Sequence, residues 1–443
     1  MGFIEKLSKL AEESSAISDD LYQAHNVKRG LRNKDFTGVL VGLTHIGDVI
    51  GYDVVGNQIV PAEGDLLYRG ISIKDIVKGA EGRPAFDEVT FLLLFGKLPT
   101  SSELRKFSEH LAGLRDLPPG FTEDMILKFK GRDIMNMIAR CILALYTLDE
   151  NADDTSVLNI LKQGIDLIAK LPAIVAYSYH AMRHKYHRDH LIIRHPKREY
   201  HTAENFLYML KGDHDFTELE AALLDLIMVL HAEHGGGNNS TFATHVVSST
   251  GTDTYSAIAA ALGSLKGPLH GGANLKVTLM MEDIKNNVSD WRDEKEVSEY
   301  LMKILEKRAF DNSGKIFGFG HAVYTLSDPR AVLLKEKARE LAVEKGRLGE
   351  YELYLSIEQN APKVFSRLGK PKILAPNVDF YSGFVYDCLG VPQEVYTPLF
   401  AMARISGWCA HRLEELVSSK RIIRPAYKNV LGKKEYVSMD DRS

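Results

Sequence analysis

The chain has 443 residues, of which 45% are apolar and 26% charged, a composition typical of soluble globular proteins and unlike that of disordered or fibrous chains. Its 55 basic and 59 acidic side chains leave a net charge of −4, and neither sign forms a long block. This balance argues against a dedicated nucleic-acid binder. The length predicts two or three domains.

Cysteine usage and hydropathy indicate the compartment. Cys141, Cys388 and Cys409 lie far apart and are odd in number, so they predict free thiols in a reducing environment and no disulfide framework. The N-terminal segment lacks the apolar stretch of a signal peptide. The longest apolar runs fall far short of the roughly 20 residues that span a bilayer. We therefore expect a cytoplasmic protein.

Helical periodicity dominates, so the sequence predicts a mainly α-helical protein. The exception comes early, where residues 54–60 form two short β runs around a Gly56-Asn57 turn and residues 66–68 form a third run. Helices are predicted, in chain order, over residues 86–94, 123–148, 158–182, 203–210, 219–231 and 298–308.

The first of four polar islands in the C-terminal half is His231-Ala232-Glu233-His234, followed by three glycines. Histidines three apart share a helix face, which allows a metal site, although the H-E-x-x-H order of metalloproteases is missing. We favour a polar cavity lining in which the glycines let the backbone approach a small ligand.

The second island places His270 between Gly-Pro-Leu and Gly-Gly-Ala-Asn, just before a predicted helix. Backbone N–H groups and the helix dipole disfavour an imidazolium there, so the ring is expected to be neutral. A neutral imidazole can donate a hydrogen bond to a carbonyl oxygen that becomes an enolate. The alternative is a capping histidine.

The third and fourth islands add a histidine, an arginine and an acid. Gly318-Phe319-Gly320-His321 precedes an Asp328-Pro329-Arg330 turn, and its single G-x-G is weak support for a nucleotide site. Asp379 lies among apolar and aromatic neighbours, where burial would raise its pKa toward that of a useful general base. The alternative for Asp379 is a helix cap.

Two arginines complete the candidate set. Arg404 lies in an otherwise apolar helix, where a guanidinium needs an anionic partner, and Arg424 precedes Pro425. Arginines suited to bidentate pairing, together with three histidines and one carboxylate, indicate a site for a small polycarboxylate with a reactive carbonyl.

The order and spacing of these islands resemble the citrate synthase family. Further resemblances lie upstream, at residues 68–71, 86–99 and 203–209, so that the likeness runs from about residue 48 to residue 427. It implies a two-domain, multi-helical homodimer with a small N-terminal β element. The implied divisions are a helical extension (1–45), a large domain (46–276), a small domain that closes over the site (277–384), and a return to the large domain with the C-terminal tail (385–443).

The resemblance also implies roles. Asp379 would remove a proton from the methyl group of acetyl-CoA while His270 donates a hydrogen bond to the thioester oxygen, and citryl-CoA would then be hydrolysed. His321 would polarise the ketone of oxaloacetate. The implied oxaloacetate contacts are His234, His321, Arg330, Arg404 and, supplied by the other subunit, Arg424.

Coenzyme A contacts are implied at Ile316, Phe317, Gly318, Phe319 and Gly320, with Lys370 and Lys372 as additional candidates. Phe317 stands where a proline is common in the family, and Tyr324-Thr325-Leu326 lacks the basic residue that many relatives carry just after the catalytic histidine. Acetyl-CoA enters as a substrate, and neither a resident cofactor nor a metal is expected.

Other functions remain open at the sequence level. A 2-methylcitrate synthase would use propionyl-CoA, and one methylene is worth only about 1–3 kcal/mol of discrimination. A metal-dependent hydrolase would use the histidine-rich stretch His180, His184, His187 and His190, although interleaved basic residues disfavour a divalent cation. A catalytically silent relative is disfavoured because no proposed catalytic position is substituted.

Overall fold

A computed structural model describes residues 3–33, 37–56, 58–80, 82–212, 215–369, 374–419 and 421–442. The chain forms two units, one of residues 1–42 with 423–443 and one of residues 43–422. The first contains helices α1 (Phe3–Ser15) and α2 (Asp19–Ala24). The predicted split of the second unit into a large and a small domain stays a prediction.

Most of the second unit is helical, as the periodicity predicts. Within its described residues the helices are α3 (Ile73–Gly79), α4 (Phe86–Phe95), α5 (Ser101–Leu114), α6 (Ile134–Tyr146), α7 (Val157–His187), α8 (Thr202–Leu210), α9 (Glu218–His231), α10 (Asn239–Ser248), α11 (Thr254–Lys266), α12 (Ala273–Asn287), α13 (Glu294–Leu305), α14 (Pro329–Glu344), α15 (Leu348–Arg367), α16 (Val378–Cys388) and α17 (Tyr396–Ser418).

The predicted β element is confirmed and is longer than the sequence pattern indicates. Strands β1 (Gly47–Val55), β2 (Gln58–Tyr68) and β3 (Ile71–Ser72) form one antiparallel sheet in that order. Gly56 takes a positive φ of +64° at the β1–β2 turn, a conformation that glycine adopts without strain. Asn57, the second residue of the predicted turn, lies outside the described residues.

The β1–β2 hairpin packs directly on the loop that follows residue 321. Thr325 Oγ1 accepts a hydrogen bond from the backbone N–H of Ala62 at 3.2 Å, and Ser327 Oγ accepts one from Gly64 N–H at 3.1 Å. A Cβ added at Gly64 would overlap the carbonyl oxygen of Ser327. The close backbone contact therefore requires glycine, and it fixes the course of this loop.

One predicted helix, over residues 123–148, is wrong as a single element. A turn of π-helix covers Thr122–Leu127, and α6 begins only at Ile134. Asp133 adopts an extended backbone and caps α6 by accepting a hydrogen bond from Asn136 N–H at 2.7 Å. Residues 128–133 contain only one apolar side chain, Phe129, together with Gly131 and the capping Asp133, so the predicted helix runs through a break that the sequence marks.

Helix α17 lies at the centre of the second unit and contacts α4, α7, α9, α10 and α11. Its side chains are buried almost continuously, including the polar Arg404, His411 and Arg412 and the large Trp408. A buried charged group is stable only when it is paired or hydrogen-bonded. The buried polar residues of α17 therefore indicate that a functional site lies beside this helix. No described helix is both long and apolar enough to cross a membrane.

Candidate active site

Helix α9 delivers the first histidine island into the interior. The apolar helix ends at His231, and the chain then turns through His234 to reach α10. His234 is buried, and burial, followed by the charge of Arg330, lowers its pKa well below the ordinary value. Its Nε2 has no hydrogen-bond partner among the described residues. A neutral ring with an unsatisfied nitrogen is therefore available to a ligand.

Arg404 meets this turn from α17. Its Nε donates to the carbonyl oxygen of His231 at 2.6 Å, and its guanidinium lies 4.7 Å from the ring centre of Phe400. The side chain is fully buried, yet Nη1 and Nη2 have no partner within the described residues. Burial lowers the pKa of Arg404 to about 10, which still leaves it charged at neutral pH. Two buried donors of a guanidinium without an acceptor fit an anion.

Arg330 lies in the first turn of α14 and is already paired. Its Nε and Nη2 donate to the two carboxylate oxygens of Asp328 at 3.0 and 2.8 Å. Burial opposes the charge on Arg330, but the Asp328 carboxylate outweighs it, so the pKa is raised. Asp328 also caps α14 and accepts a hydrogen bond from Val378 N–H at 3.2 Å. One carboxylate thus joins Arg330 to the start of α16.

His321 stands beside His234, with ring centres 5.0 Å apart. Its Nδ1 accepts hydrogen bonds from the backbone N–H groups of Val323 and Tyr324, both at 3.1 Å. In the neutral ring the proton must therefore be on Nε2, so the ring can donate to a ligand carbonyl.

Tyr324 is a site residue that the sequence-based reasoning missed. Its ring lies 4.5 Å from that of His321 and 5.7 Å from that of His234, and Arg330 lies 5.6 Å from the ring centre. The hydroxyl is buried with no partner among the described residues. An aromatic residue three positions after a candidate histidine is the only sequence signal that could have found it.

His270 lies in the turn three residues before α12. Its Nε2 is 3.0 Å from Ser240 Oγ and accepts from Ser240 N–H at 3.4 Å, so the proton of the neutral ring is on Nδ1. Trp408 Nε1 donates to the same Ser240 hydroxyl at 3.2 Å. Burial, followed by the charge of Arg404, lowers the pKa of His270 to about 4. The ring is neutral mainly because it is buried, whereas the sequence argument invoked the helix dipole.

Asp379 is the second residue of α16, and the alternative that it caps the helix is wrong. Asn377 is the cap, since its Oδ1 accepts a hydrogen bond from Asp379 N–H at 3.0 Å. Burial raises the pKa of Asp379 to about 6, although the charge of Arg330 opposes this shift. The carboxylate is therefore ionised at neutral pH and is a stronger base than an exposed aspartate.

Hydrogen bonds join the elements that carry His270, His321 and Asp379. Asn274 Nδ2 in α12 donates to Ser382 Oγ in α16. Asn377 Nδ2 donates to the carbonyl oxygen of Gly320 at 3.0 Å. The charge of Arg404 acts on both His270 and Asp379. The structure thus brings together residues that are more than 100 positions apart along the chain.

The structure does not bring every predicted residue to this cluster. Arg424 is exposed and belongs to the unit formed by residues 1–42 and 423–443. Lys370 and Lys372 lie outside the described residues. The 316–320 loop is described, and Gly318 takes a φ of +82°, where a Cβ would lie 2.8 Å from the Phe380 ring.

The histidine-rich stretch does not form a shared site. His180 is buried and contacts the carbonyl oxygen of Met209 at 3.0 Å, whereas His184 contacts that of Asp189 at 2.9 Å. Among the described residues, no group of three His, Cys, Asp or Glu side chains is arranged to hold a metal ion.

Comparison with known proteins decides the family. The sequence profile described as citrate synthase, C-terminal domain, matches residues 35–426. The chain belongs to the citrate synthase family. Citrate synthase from Haloferax volcanii is 36% identical over 423 residues, covering 94% of this chain and 99% of that protein. 2-Methylcitrate synthase 1 from Corynebacterium glutamicum is 33% identical over 395 residues, covering 87% and 95%.

Solved structures agree. Citrate synthase from Pyrobaculum aerophilum superposes with a TM-score of 0.75 at 32% identity, covering 92% of this chain and 94% of that one. Citrate synthase from Thermoplasma acidophilum, in a ternary complex with carboxymethyl coenzyme A and oxaloacetate, gives 0.76 at 27% identity, covering 94% and 99%. The predicted family, its helical fold and its acyltransferase class are confirmed.

The raised pKa of Asp379 predicts the acid limb of the pH–rate profile for this citrate synthase relative. A general base must be ionised, so kcat/KM, which reports ionisation in the free enzyme, should fall about tenfold per pH unit below about pH 6, because Asp379 is then protonated. His270, with a pKa of about 4, stays neutral across this range. The value of kcat/KM would be measured from about pH 5 to 8, with recovery checked at neutral pH. A flat profile down to pH 5 would contradict the assignment.

Proposed function

We propose that the chain condenses acetyl-CoA with oxaloacetate and water to give citrate and CoA, through an enolate and citryl-CoA. The observation that carries the proposal is a set of buried polar atoms without partners among the described residues, His234 Nε2 and Arg404 Nη1 and Nη2, with the ring of His321 5.0 Å from that of His234. This set suits a small polycarboxylate that carries a ketone. The oxaloacetate in the Thermoplasma acidophilum complex supports the same choice of substrate.

In the first step, Asp379 takes a proton from the methyl carbon of acetyl-CoA and the C–H electron pair becomes that of the enolate. A carboxylate with a pKa of about 6 is too weak a base for this step alone. The Nδ1–H of His270 supplies the missing stabilisation by donating to the thioester oxygen as negative charge develops on it. Because the ring is neutral, it offers one directed hydrogen bond without first releasing a proton to solvent.

In the second step, the enolate carbon attacks the ketone carbon of oxaloacetate, and the ketone oxygen becomes an alkoxide. The alkoxide takes up one proton to give the hydroxyl of citryl-CoA, which balances the proton that Asp379 removed from the methyl group. His321 donates from Nε2 to this oxygen, while His234, Arg330 and Arg404 hold the carboxylates. Arg330 is already bound to Asp328, so Arg404 supplies the larger share of free donors. Water then cleaves the thioester of citryl-CoA, giving citrate and CoA.

The proposal also covers the coenzyme A contacts, the second subunit, the cofactor requirement and the compartment. The backbone of residues 316–320 would contact coenzyme A, with Lys370 and Lys372 as further contacts, and Arg424 would reach the site of the other subunit in a homodimer. No resident cofactor is needed, because both substrates carry their own reactive groups. The buried free thiols of Cys141, Cys388 and Cys409 support a cytoplasmic setting.

An alternative is 2-methylcitrate synthesis from propionyl-CoA. It is favoured by one observation, the 33% identity to the Corynebacterium glutamicum enzyme of that name. The same base, oxyanion donor and ketone-polarising histidine would serve, because only one methyl group is added to the acyl chain.

Release of free thiol from acetyl-CoA, with and without oxaloacetate, tests the reaction and the substrate pair together. We expect release only when oxaloacetate is present. The same assay with propionyl-CoA gives the ratio of kcat/KM values, and a preference for propionyl-CoA above about tenfold would assign 2-methylcitrate synthesis instead. If oxaloacetate increased thiol release from neither acetyl-CoA nor propionyl-CoA, the proposal would be refuted.

Arg404→Leu should weaken oxaloacetate binding by at least about tenfold, because a charged hydrogen-bond donor is lost from a buried site. Affinity for CoA should change much less. Calorimetric titration with each ligand measures both. Arg412→Leu is a matched control on the same helix, since Arg412 is also buried but binds Thr254 and Ser248. Unchanged oxaloacetate affinity in folded Arg404→Leu protein would count against the assignment.

A further inference from the structure

Behind the histidine turn, four titratable side chains are joined end to end. Glu233 Oε1 is 2.9 Å from His411 Nε2, His411 Nδ1 is 3.1 Å from His245 Nε2, and His245 Nδ1 is 2.8 Å from Glu415 Oε2. We call these four residues the relay. Glu233 and His411 are completely buried, and the far end of the relay approaches the surface. Glu233 precedes His234 directly, so the relay ends at the candidate site.

The number of protons in the relay follows from its geometry. A carboxylate at each end can only accept, so His411 Nε2 and His245 Nδ1 must each carry a proton. The contact between His411 Nδ1 and His245 Nε2 needs a third proton to be a hydrogen bond. Two imidazoles with three protons carry one positive charge between them. The extra proton is assigned to His411 because two carboxylates lie close to it, Glu233 at 2.9 Å and Glu414 at 3.9 Å, whereas His245 contacts the Glu415 carboxylate and is partly exposed.

Glu233 is the link from the relay to the substrate turn. Its Oε1 also accepts a hydrogen bond from Gly235 N–H. Because Glu233 and Gly235 flank His234 in the chain, this hydrogen bond fixes the backbone on both sides of His234. Glycines at 47 and 407 leave room for it, since a Cβ at either position would lie within 3 Å of the carboxylate group. Burial opposes the charge on Glu233, but His411, then Arg404 and Gly235 N–H, outweigh it and lower its pKa.

We propose that His411 is a buried imidazolium that positions the oxaloacetate-binding turn, by keeping Glu233 ionised and hydrogen-bonded to the backbone beside His234. Ionised Glu233 also balances the charge of Arg404 before the substrate arrives. His411 touches neither substrate and acts through Glu233, so it is a positioning residue. The inference rests on the proposed function, because it takes oxaloacetate as the ligand of this cavity.

The charged and titratable neighbours of His411 come from three elements. Glu233 faces it from the turn after α9, and His245 faces it from α10. On its own helix, Glu414 lies 3.9 Å from His411 Nδ1, and Glu415 acts through His245. Two carboxylates and one neutral ring surround a single cation, and a third carboxylate, Glu415, holds the far side of that ring, which is an arrangement that stabilises a buried positive charge.

The functional test compares oxaloacetate affinity, measured by calorimetry, in wild type, His411→Gln, Glu233→Gln and the double variant. Glutamine can still form hydrogen bonds at either position but carries no charge. Each single variant should bind oxaloacetate about tenfold more weakly, with kcat at saturation within about threefold of wild type. The double variant should be no weaker than the weaker single variant, because both changes break one unit. His180→Gln, which alters another buried histidine, should bind as wild type does.

A pH series separates positioning from a general packing defect. In His411→Gln, Glu233 loses its cationic partner, so its pKa rises toward the accessible range. The ratio of variant to wild-type Kd should therefore grow as the pH falls from about 8 to 6. A pH-independent ratio would indicate lost packing alone and would overturn the proposal. Tighter oxaloacetate binding in either single variant would also overturn it, since Glu233 would then be competing with the substrate for Arg404.

Nitrogen-15 NMR of histidine-labelled protein tests the charge without any ligand. The His411 signals, assigned by their loss in His411→Gln, should be those of a doubly protonated ring at neutral pH. A singly protonated ring at neutral pH would refute the proposal even if the enzyme binds oxaloacetate normally. Failure of the wild-type protein to bind oxaloacetate would instead refute the proposed function, and the NMR result would still decide the state of His411.

Discussion

Asp379→Asn should lower kcat by about 10²–10⁴-fold, the usual contribution of a positioned general base. The amide has the size and shape of the acid but cannot take the methyl proton from acetyl-CoA. Oxaloacetate affinity should stay close to that of wild type, because the proposed mechanism assigns Asp379 to acetyl-CoA and not to the oxaloacetate carboxylates. Single-turnover thiol release with both substrates saturating measures the loss in the chemical step itself.

Asp387→Asn is the matched control for this experiment. Asp387 lies two turns later on α16 and pairs with Arg347 at the surface. The same substitution on the same helix should leave kcat within about twofold of wild type, because a half-exposed ion pair contributes little. Wild-type turnover in Asp379→Asn, with the protein folded, would remove this residue from the mechanism. If the rate of Asp379→Asn still fell below about pH 6, the group that titrates in that range would not be Asp379.

His270→Ala should lower kcat by about 10²–10³-fold, which is the typical cost of losing one oxyanion donor. The enolate oxygen would then lose its hydrogen bond from the Nδ1–H of His270. The proton is on Nδ1 because Nε2 contacts Ser240. Exchange of the acetyl-CoA methyl protons with deuterated water, measured with an unreactive oxaloacetate analogue bound, should slow by a similar factor. This readout isolates proton removal from the condensation that follows.

His110→Ala serves as the control for the second experiment. His110 is an exposed residue of α5, far along the chain from every candidate site residue. Its loss should leave both turnover and methyl exchange unchanged. If His270→Ala exchanged methyl protons at the wild-type rate but condensed slowly, the histidine would act on the ketone and not on the thioester, and the roles of His270 and His321 would have to be exchanged.

Local sequence patterns predicted those parts of the structure that depend on neighbouring residues. The hairpin follows from a Gly-Asn turn between β runs, and α4, α7, α8 and α9 follow from their apolar spacing. The break before α6 was not predicted, although Gly131 and the capping Asp133 mark it in the sequence. The island containing Asp379 was recognised, although its local role required the structure, in which Asn377 is the cap.

Groups that meet through tertiary contact could not be predicted in this way. Glu233 and His411 are 178 positions apart and form a hydrogen bond deep in the interior. Nothing near His411 in the sequence distinguishes it from an ordinary helical histidine. Phe400 likewise contacts His231 only because α17 packs along the end of α9, whereas its contact with Arg404 is a local pair four residues apart on α17. The family resemblance supplied the arginine and histidine roles, whereas the proton placement on each ring required the hydrogen-bond geometry.

The hydrogen bond from Trp408 to Ser240 gives the protein a built-in optical reporter. The indole is one hydroxyl group away from His270, and its fluorescence should respond when that hydroxyl changes partner. The chain contains only one other tryptophan, Trp291, in the segment between α12 and α13. A Trp291→Phe protein would therefore emit from a single fluorophore, and stopped-flow traces could time the arrival of each substrate without an external dye.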